Sequence, residues 1–400
     1  MNAAQKQYLL ITGNYWAFTL TDGALRMLVV LYFHQLGYAP LQIALLFLFY
    51  EFFGVVTNLL GGWLGARIGL NRTMHIGLLL QVVALSMLLV PSTWLTAPWV
   101  MAAQALSGIA KDLNKMSAKS AIKTLLTNEA QTRLFHWVAV LTGSKNALKG
   151  IGFFLGGLLL SLLGFQGAIG AMAIMLALVG VFSLLSLKQE LGKAKNKPKF
   201  SALMSSSRAV NILSAARLFL FAARDVWFVI ALPVFLAEQL QWSHTAVGSL
   251  LALWIIGYGA VQAMAPRLFG LRGPRPPGRR AAVLGALMLA LIMLLLGWLL
   301  PSSSGGISVA QVLVAGLLIF GVVFAINSAL HSYLIVAYAR EDGVSLDVGF
   351  YYMANAMGRL AGTVMSGYLY QQYGLVACLL AAVIMLVLTT LISIALPHRP

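Results

Sequence analysis

The chain has 400 residues, 60% of them hydrophobic and only 9% charged. Soluble domains carry about 25% charged residues, so a large soluble catalytic domain is excluded, and the single cysteine, Cys378, excludes a disulfide scaffold. The formal charge of +17, from 27 Lys and Arg against 10 Asp and Glu, would suggest nucleic acid in a soluble chain; here most cations lie in short connections between apolar runs, where they set membrane orientation and imply no nucleic-acid partner.

Twelve apolar runs are legible, near 10–35, 41–65, 75–95, 98–120, 135–163, 168–187, 211–236, 244–266, 281–300, 307–338, 346–370 and 375–396. Each is about as long as a transmembrane helix needs to be, roughly 20 residues. The first run carries Asp22 and Arg26 and lacks a small-residue cleavage pattern, so it is expected to be a span and not a signal peptide. One set of alternate connections holds 18 of the 27 Lys and Arg: Lys6, Arg67, Arg72, Lys123, Arg133, Lys188, Lys193, Lys195, Lys197, Lys199, Arg208, Arg267, Arg272, Arg275, Arg279, Arg280, Arg340 and Arg399. The other set holds none. This asymmetry predicts that both termini and the 188–210 connection of a multi-pass membrane protein are cytoplasmic.

The 188–210 stretch is the only long polar segment and lies near the midpoint. It divides the chain into an expected six-helix bundle at 1–187 and a second at 211–400. A shift of 203 residues carries Asp22 onto Asp225, Phe18 onto Phe221 and Gly54 onto Gly257, and Asn146-Ala147-Leu148-Lys149 echoes Asn355-Ala356-Met357-Gly358-Arg359. Two parallel six-helix repeats, with a site between them at mid-membrane, are the architecture of major facilitator transporters.

Local motifs agree. The connection Gly61-Gly62-Trp63-Leu64-Gly65-Ala66-Arg67-Ile68-Gly69-Leu70-Asn71-Arg72 resembles the cytoplasmic loop motif of the major facilitator superfamily, with Ala66 in place of the usual Asp. The stretch up to Thr127-Asn128-Glu129 and Arg133 resembles the loop after the fourth helix. Gly152-Phe153-Phe154-Leu155-Gly156-Gly157 resembles the fifth-helix motif of exporters, with Phe153 replacing Pro. The implied fold is an all-α membrane protein of twelve transmembrane helices in two pseudo-symmetric six-helix bundles. Helices one, four, seven and ten would line a cavity, helped by two, five, eight and eleven, while three, six, nine and twelve would face lipid.

A narrower resemblance rests on Thr12-Gly13-Asn14-Tyr15-Trp16-Ala17-Phe18-Thr19-Leu20-Thr21-Asp22-Gly23-Ala24-Leu25-Arg26 and on Phe49-Tyr50-Glu51-Phe52-Phe53-Gly54-Val55-Val56-Thr57-Asn58. Both are similar to segments of ArsJ-type organoarsenical efflux permeases. That resemblance implies export of 1-arseno-3-phosphoglycerate, arsenate resistance, and glyceraldehyde-3-phosphate dehydrogenase as the functional partner that makes the cargo.

Nine cations fall within spans: Arg26, Lys111, Lys115, Lys119, Lys145, Lys149, Arg217, Arg224 and Arg359. The acids there are Asp22, Glu51, Asp112, Asp225 and, at a helix start, Asp347. A charge at mid-bilayer costs about 2.5–3.5 kcal/mol on insertion scales, so these residues must line a polar cavity or be paired. Even if each acid neutralised one cation, about four positive charges would remain to attract anions. Arg suits bidentate oxyanion binding and Lys supplies point charge. Arg26, Arg224 and Arg359 are therefore the expected clamps, with Lys111, Lys115, Lys145 and Lys149 in support. Asn146, Asn355, Tyr15, Tyr351, Tyr352, Asn327 and His331 are candidate hydrogen-bond donors.

Asp22 and Arg26, and Asp112 and Lys115, have the spacing of helical ion pairs. Lys119 and Arg217 could instead snorkel to the cytoplasmic interface. Asp22, Glu51, Asp112 and Asp225 are the candidate coupling or ion-pair residues. Glu51, with no basic residue within one turn, is the expected free carboxyl unless a cation on another helix meets it. An organophosphate or phosphate exchanger of the same fold is the alternative function. No metal-spaced cluster, nucleophile motif or phosphate-binding loop points to an enzyme or a cofactor.

Overall fold

The computed structural model describes residues 3–38, 40–125, 131–187, 191–194, 207–242, 244–268, 277–300 and 308–397. Lys188, Lys195, Lys197, Lys199, Arg272, Arg275 and Arg399, the Thr127–Glu129 stretch and most of the 188–210 connection lie outside the described residues. Every described element is helical: α1 (Ala3–Gln35), α2 (Pro40–Leu46), α3 (Leu48–Ile68), α4 (Leu70–Met87), α5 (Ala97–Leu125), α6 (Gln131–Ser186), α7 (Arg208–Phe228), α8 (Ala231–Glu238), α9 (His244–Leu268), α10 (Arg279–Leu299), α11 (Val309–Tyr338) and α12 (Val344–Ile394), with one 3-10 turn at Ser92–Trp94. In lipid every backbone N–H and C=O must bond within its own segment, which helices achieve.

Seven helical stretches are long and apolar enough to cross a membrane, and two of them, Leu134–Ser186 and Val344–Ile394, have 53 and 51 residues. At about 20 residues per crossing, each of those two supplies two spans. Their bends fall at Gly164 (φ 67°) and Gly374 (φ 76°), inside connections expected from the sequence. Only glycine adopts such a φ without strain, so the chain turns there with no intervening loop. The second and seventh spans are each broken, between α2 and α3 and between α7 and α8. Joining those pairs and splitting α6 and α12 gives twelve passages among the described residues, as expected.

Large apolar side chains are exposed on the expected outer helices, among them Leu79 on α4, Leu178 and Leu185 on the second half of α6, Leu284 and Trp298 on α10, and Ile384 on the second half of α12, and also on expected inner ones, at Phe154, Leu253 and Val364. An apolar surface of this extent matches lipid and not water.

The chain divides into two compact units. The first comprises 1–129, 144–205 and 339–353; the second comprises 130–143, 206–338 and 354–400. Close helix packing in the first unit relies on missing side chains. A Cβ on Gly108 would stand 2.5 Å from the Tyr50 carbonyl oxygen, one on Gly152 would stand 2.6 Å from that of Leu20, and one on Gly349 would stand 2.6 Å from that of Asn58. In the second unit a Cβ on Gly362 would stand 2.7 Å from the Ala222 carbonyl oxygen, and one on Gly143 would strike Gly259 and Ala263. The second unit has an aromatic core in which Trp227 meets Phe320 edge-on at 5.2 Å and Phe320 stacks on Phe324.

Candidate functional site

Each unit holds a cluster of intramembrane charges. In the first unit α1, α3 and α5 build it. Tyr50 on α3 is buried and its hydroxyl donates to Asp22 Oδ1 at 2.7 Å. Arg26, one turn after Asp22, lies with Nη2 3.3 Å from Glu51 Oε1. The expected Asp22–Arg26 pair is therefore replaced by two cross-helix bonds, and Glu51 is not the free carboxyl but the partner of a cation on another helix. Tyr50 and Glu51 are adjacent on α3, so they reach different residues of α1.

Asp112 on α5 is buried and shared. Lys115 Nζ sits 2.5 Å from Oδ1, as the i,i+3 spacing predicts, and Lys111 Nζ 3.8 Å from Oδ2. Gly54 makes room for this group, since a Cβ there would stand 2.9 Å from Asp112 Oδ2. The Lys111 ammonium lies 3.8 Å from the Tyr50 ring centroid and the Arg26 guanidinium 5.3 Å from it. Lys115 and Lys119 lie 4.8 Å and 5.0 Å from the Tyr352 ring. Lys119 is only 3% exposed, so it does not snorkel to an interface but belongs to this cluster.

The remaining residues of the first unit vary in their attachment. Lys149 lies near the Phe153 ring, at 5.8 Å, and close enough to Arg26, Asp22, Lys111 and Glu51 to feel their charges. Lys145 and Asn146 are half-buried on the preceding turn of α6. The buried Tyr15 hydroxyl has no hydrogen-bond partner and lies within electrostatic reach of Tyr352, Asp112 and Asp22. Tyr351 is buried, its ring edge-on to Tyr352 at 5.0 Å. Asp347 accepts from Arg340 Nε at 3.1 Å and Nη2 at 2.9 Å, so it serves a loop cation and not a membrane one. Outside the spans these bonds hold the Arg340 guanidinium above its usual range, while burial pulls the Lys123 ammonium down.

In the second unit α7, α11 and α12 converge. Asp225, fully buried, accepts from Arg224 Nε at 2.6 Å and from Arg359 Nε at 3.3 Å. Arg217 is 3% exposed and donates to Asn355 Oδ1 at 2.9 Å and to Ser328 Oγ at 3.1 Å. Its expected place at the interface is thus corrected: Arg217 is an inner residue of the cluster. Arg217 and Arg224 lie 3.9 Å and 4.8 Å from the Phe221 ring. On α11, Asn327 and His331 are buried with no hydrogen-bond partner at any side-chain nitrogen or oxygen.

The nine cations therefore face four carboxylates within the spans, Asp22, Glu51, Asp112 and Asp225, a formal excess of five. Sequence reasoning missed the rings of Tyr50 and Phe221. The only available signal was their position: Tyr50 inside a quoted motif, and Phe221 on the repeat of Phe18.

A helical membrane protein with buried, net positive clusters on repeat-related helices is built to move a solute and not to anchor a soluble domain. The chain belongs to the major facilitator superfamily, whose family model matches residues 11–227 and again 213–400, and it is a transporter of that superfamily. No curated protein sequence matches it. Among solved structures it is similar to the human organic anion transporter MFSD10 (TETRAN), with TM-score 0.72, 17% identity, and 98% of this chain and 100% of that one covered. A bacterial homologue of the iron transporter ferroportin in an outward-facing state gives TM-score 0.76 at 14% identity, covering 98% and 100%. The proton:xylose symporter XylE bound to 6-bromo-6-deoxy-D-glucose gives 0.74 at 12% identity, covering 97% and 95%. At these identities the likeness is one of fold.

Proposed function

We propose that this transporter exports a small multivalent organic anion from the cytoplasm, and that the cargo is 1-arseno-3-phosphoglycerate, conferring arsenate resistance. The observation that carries this reading is the excess of five intramembrane cations over carboxylates. A neutral sugar or drug brings no counter-charge to such a site, whereas arsenate, phosphate and carboxylate groups together do. In support, the two segments that resemble ArsJ-type permeases supply Asp22, Arg26, Tyr50, Glu51 and Gly54, and these side chains and backbone meet in one cluster.

In this reading Arg26, Arg224 and Arg359 clamp the oxyanions. Lys111, Lys115, Lys145 and Lys149 add charge, and Asn146, Asn355, Tyr15 and Tyr351 supply hydrogen bonds. Asp22, Glu51, Asp112 and Asp225 each already bond to a cation or a tyrosine, which favours export driven by membrane potential over proton exchange. Each negative charge leaving a negative interior gains about 2.3 kcal/mol per 100 mV. The protein would sit in the bacterial inner membrane with both termini inside, taking its cargo from glyceraldehyde-3-phosphate dehydrogenase.

Arginines on the first and seventh spans also suit an organophosphate or phosphate exchanger. Arsenate-sensitive cells expressing the chain with and without the dehydrogenase separate the two. The proposed cargo requires resistance only when both are present; phosphate-ester exchange without any resistance favours the exchanger.

A further inference from the structure

Residues 191–194, within the polar connection near the midpoint of the chain, lie across the junction of α3 and α4. Two main-chain hydrogen bonds hold them there. Leu70 N–H donates to the Leu191 carbonyl and Ala194 N–H to the Ala66 carbonyl, both at 2.8 Å. The amide of the first residue of α4 and a carbonyl in the last turn of α3 are groups that helix ends leave without intrahelical partners, so the segment binds where the fold offers bonds. Gly192, at φ 65°, bends it over Leu70: a Cβ there would stand 2.5 Å from Leu70 Cδ1.

The bonds bring Ala194 into a small apolar cluster with Ala66 and Leu346, against which Trp63 packs. Ala66 is fully buried. The Asp usual at this place in the loop motif would press into the space that Ala194 fills, so the departure at position 66 and the docked segment are one feature.

Leu346 belongs to the first turn of α12, and that turn lies on the end of α3. A Cβ on Gly62 would strike the Ser345 carbonyl oxygen, and one on Gly65 would stand 3.2 Å from Ser345 Cβ. Ala194 therefore touches the last turn of α3 and the first turn of α12 together. Residues 339–353 count with the first unit, whereas the chain on either side, 206–338 and 354–400, counts with the second. Alternating access rocks one bundle against the other, so this stretch must part either from the first unit or from its own helix. The only non-helical residue inside α12 is Gly374, well beyond it, so the contact with α3 is the one that gives.

We infer that residues 191–194 are a latch of the transport cycle: pinned to the α3–α4 junction, they present Ala194 to Leu346 and favour the state in which the ends of α3 and α12 are joined. A contact shifts a two-state equilibrium only by what it contributes in one state and not the other. Leu346 covers Ala194 only in the joined state, and one buried methyl-sized group is worth about fourfold in such a ratio. None of this depends on the identity of the cargo.

Distances between spin labels on Arg72→Cys and Glu341→Cys, both exposed positions of the first unit, test the latch in purified full chain carrying Cys378→Ala. Ala194→Gly should raise the ratio of long to short distances about fourfold. Gly192→Val, which cannot keep its φ or clear Leu70, should raise it at least as much, and Lys193→Ala, exposed beside them, should leave it unchanged. A separate pair, Ala66→Cys with Ala194→Cys, should form a disulfide under mild oxidation, because docking bonds the two backbones directly. Distances unmoved by both Ala194→Gly and Gly192→Val, or cysteines at 66 and 194 that stay reduced, would overturn the latch. Ala194→Gly keeps the test decisive if Gly192→Val folds poorly, and no outcome bears on anion export.

Discussion

Lys149 on α6 and Arg359 on α12 stand at equivalent places in the two units, yet only Arg359 reaches a carboxylate. The glycines one turn onward show the equivalence: Gly152 packs against Leu20 and Gly23, and Gly362 against Ala222 and Asp225. Gly23 thus takes the place of Asp225, and the cation it faces has no ion pair among the described residues, whereas Arg359 Nε bonds Asp225 Oδ2 at 3.3 Å. The same helix pair is built twice, once with its counter-charge and once without.

Lys149→Met should therefore weaken anion transport without lowering the melting temperature of the detergent-solubilised protein. An uncompensated buried charge costs stability, and an apolar side chain of similar length removes that cost. A fall in melting temperature with unchanged transport would show that Lys149 is structural.

Asp225→Asn should do the opposite. It leaves Arg224 and Arg359 beside a buried neutral group, and removing one partner of a buried charge network costs about 3–5 kcal/mol. The expected readout is a clear drop in melting temperature and in membrane expression. The Arg26–Glu51 pair is about a third exposed, at 28% and 33%, so a double-mutant cycle there should give a stability coupling of only about 0–1 kcal/mol.

Arg26→Ala should abolish dehydrogenase-dependent arsenate resistance at unchanged membrane expression, and Arg224→Ala should abolish it together with some loss of expression, since it takes one partner from the buried Asp225. Arg→Lys at either site should restore only part of it, because an ammonium cannot make the bidentate contact of a guanidinium. Full resistance in either alanine variant would remove that arginine from the clamp.

Gly152→Ala and Gly362→Ala should both lower the melting temperature, since each new Cβ would press on a backbone carbonyl across a helix contact. Gly180→Ala meets nothing within 4 Å and should raise stability by about 0.5–1 kcal/mol, the ordinary helical gain of alanine over glycine.

The twelve passages and the positions of the charges were legible in the sequence because lipid imposes length and polarity rules on every span. The Asp112–Lys115 pair was legible from its spacing, but the cross-helix partners were not, because that pairing depends on which faces of different helices meet. Asp22 and Arg26 have the spacing of a helical pair, but α3 brings Tyr50 and Glu51 closer. Lys119 and Arg217 lie toward span ends in sequence, but neighbouring helices cover them. The internal repeat was only partly visible for a related reason. Gly152 and Gly362 are 210 residues apart, while Leu20 and Ala222, which they contact, are 202 apart. Connections of unequal length mean that no single shift aligns both, and the shift of 203 that overlays Asp22 on Asp225 misses by one residue the place where Gly23 stands.

The central claim is that this chain carries a multivalent arseno-organic anion outward, and everted membrane vesicles test it most directly. Vesicles containing the chain are supplied with glyceraldehyde-3-phosphate, arsenate, the dehydrogenase and its nicotinamide cofactor, and arsenic is counted inside. Accumulation is expected only when every component and the chain are present, and it should be lost in Arg26→Ala vesicles. Arsenic uptake that is independent of the dehydrogenase, or none in vesicles that carry the folded chain, would contradict the account.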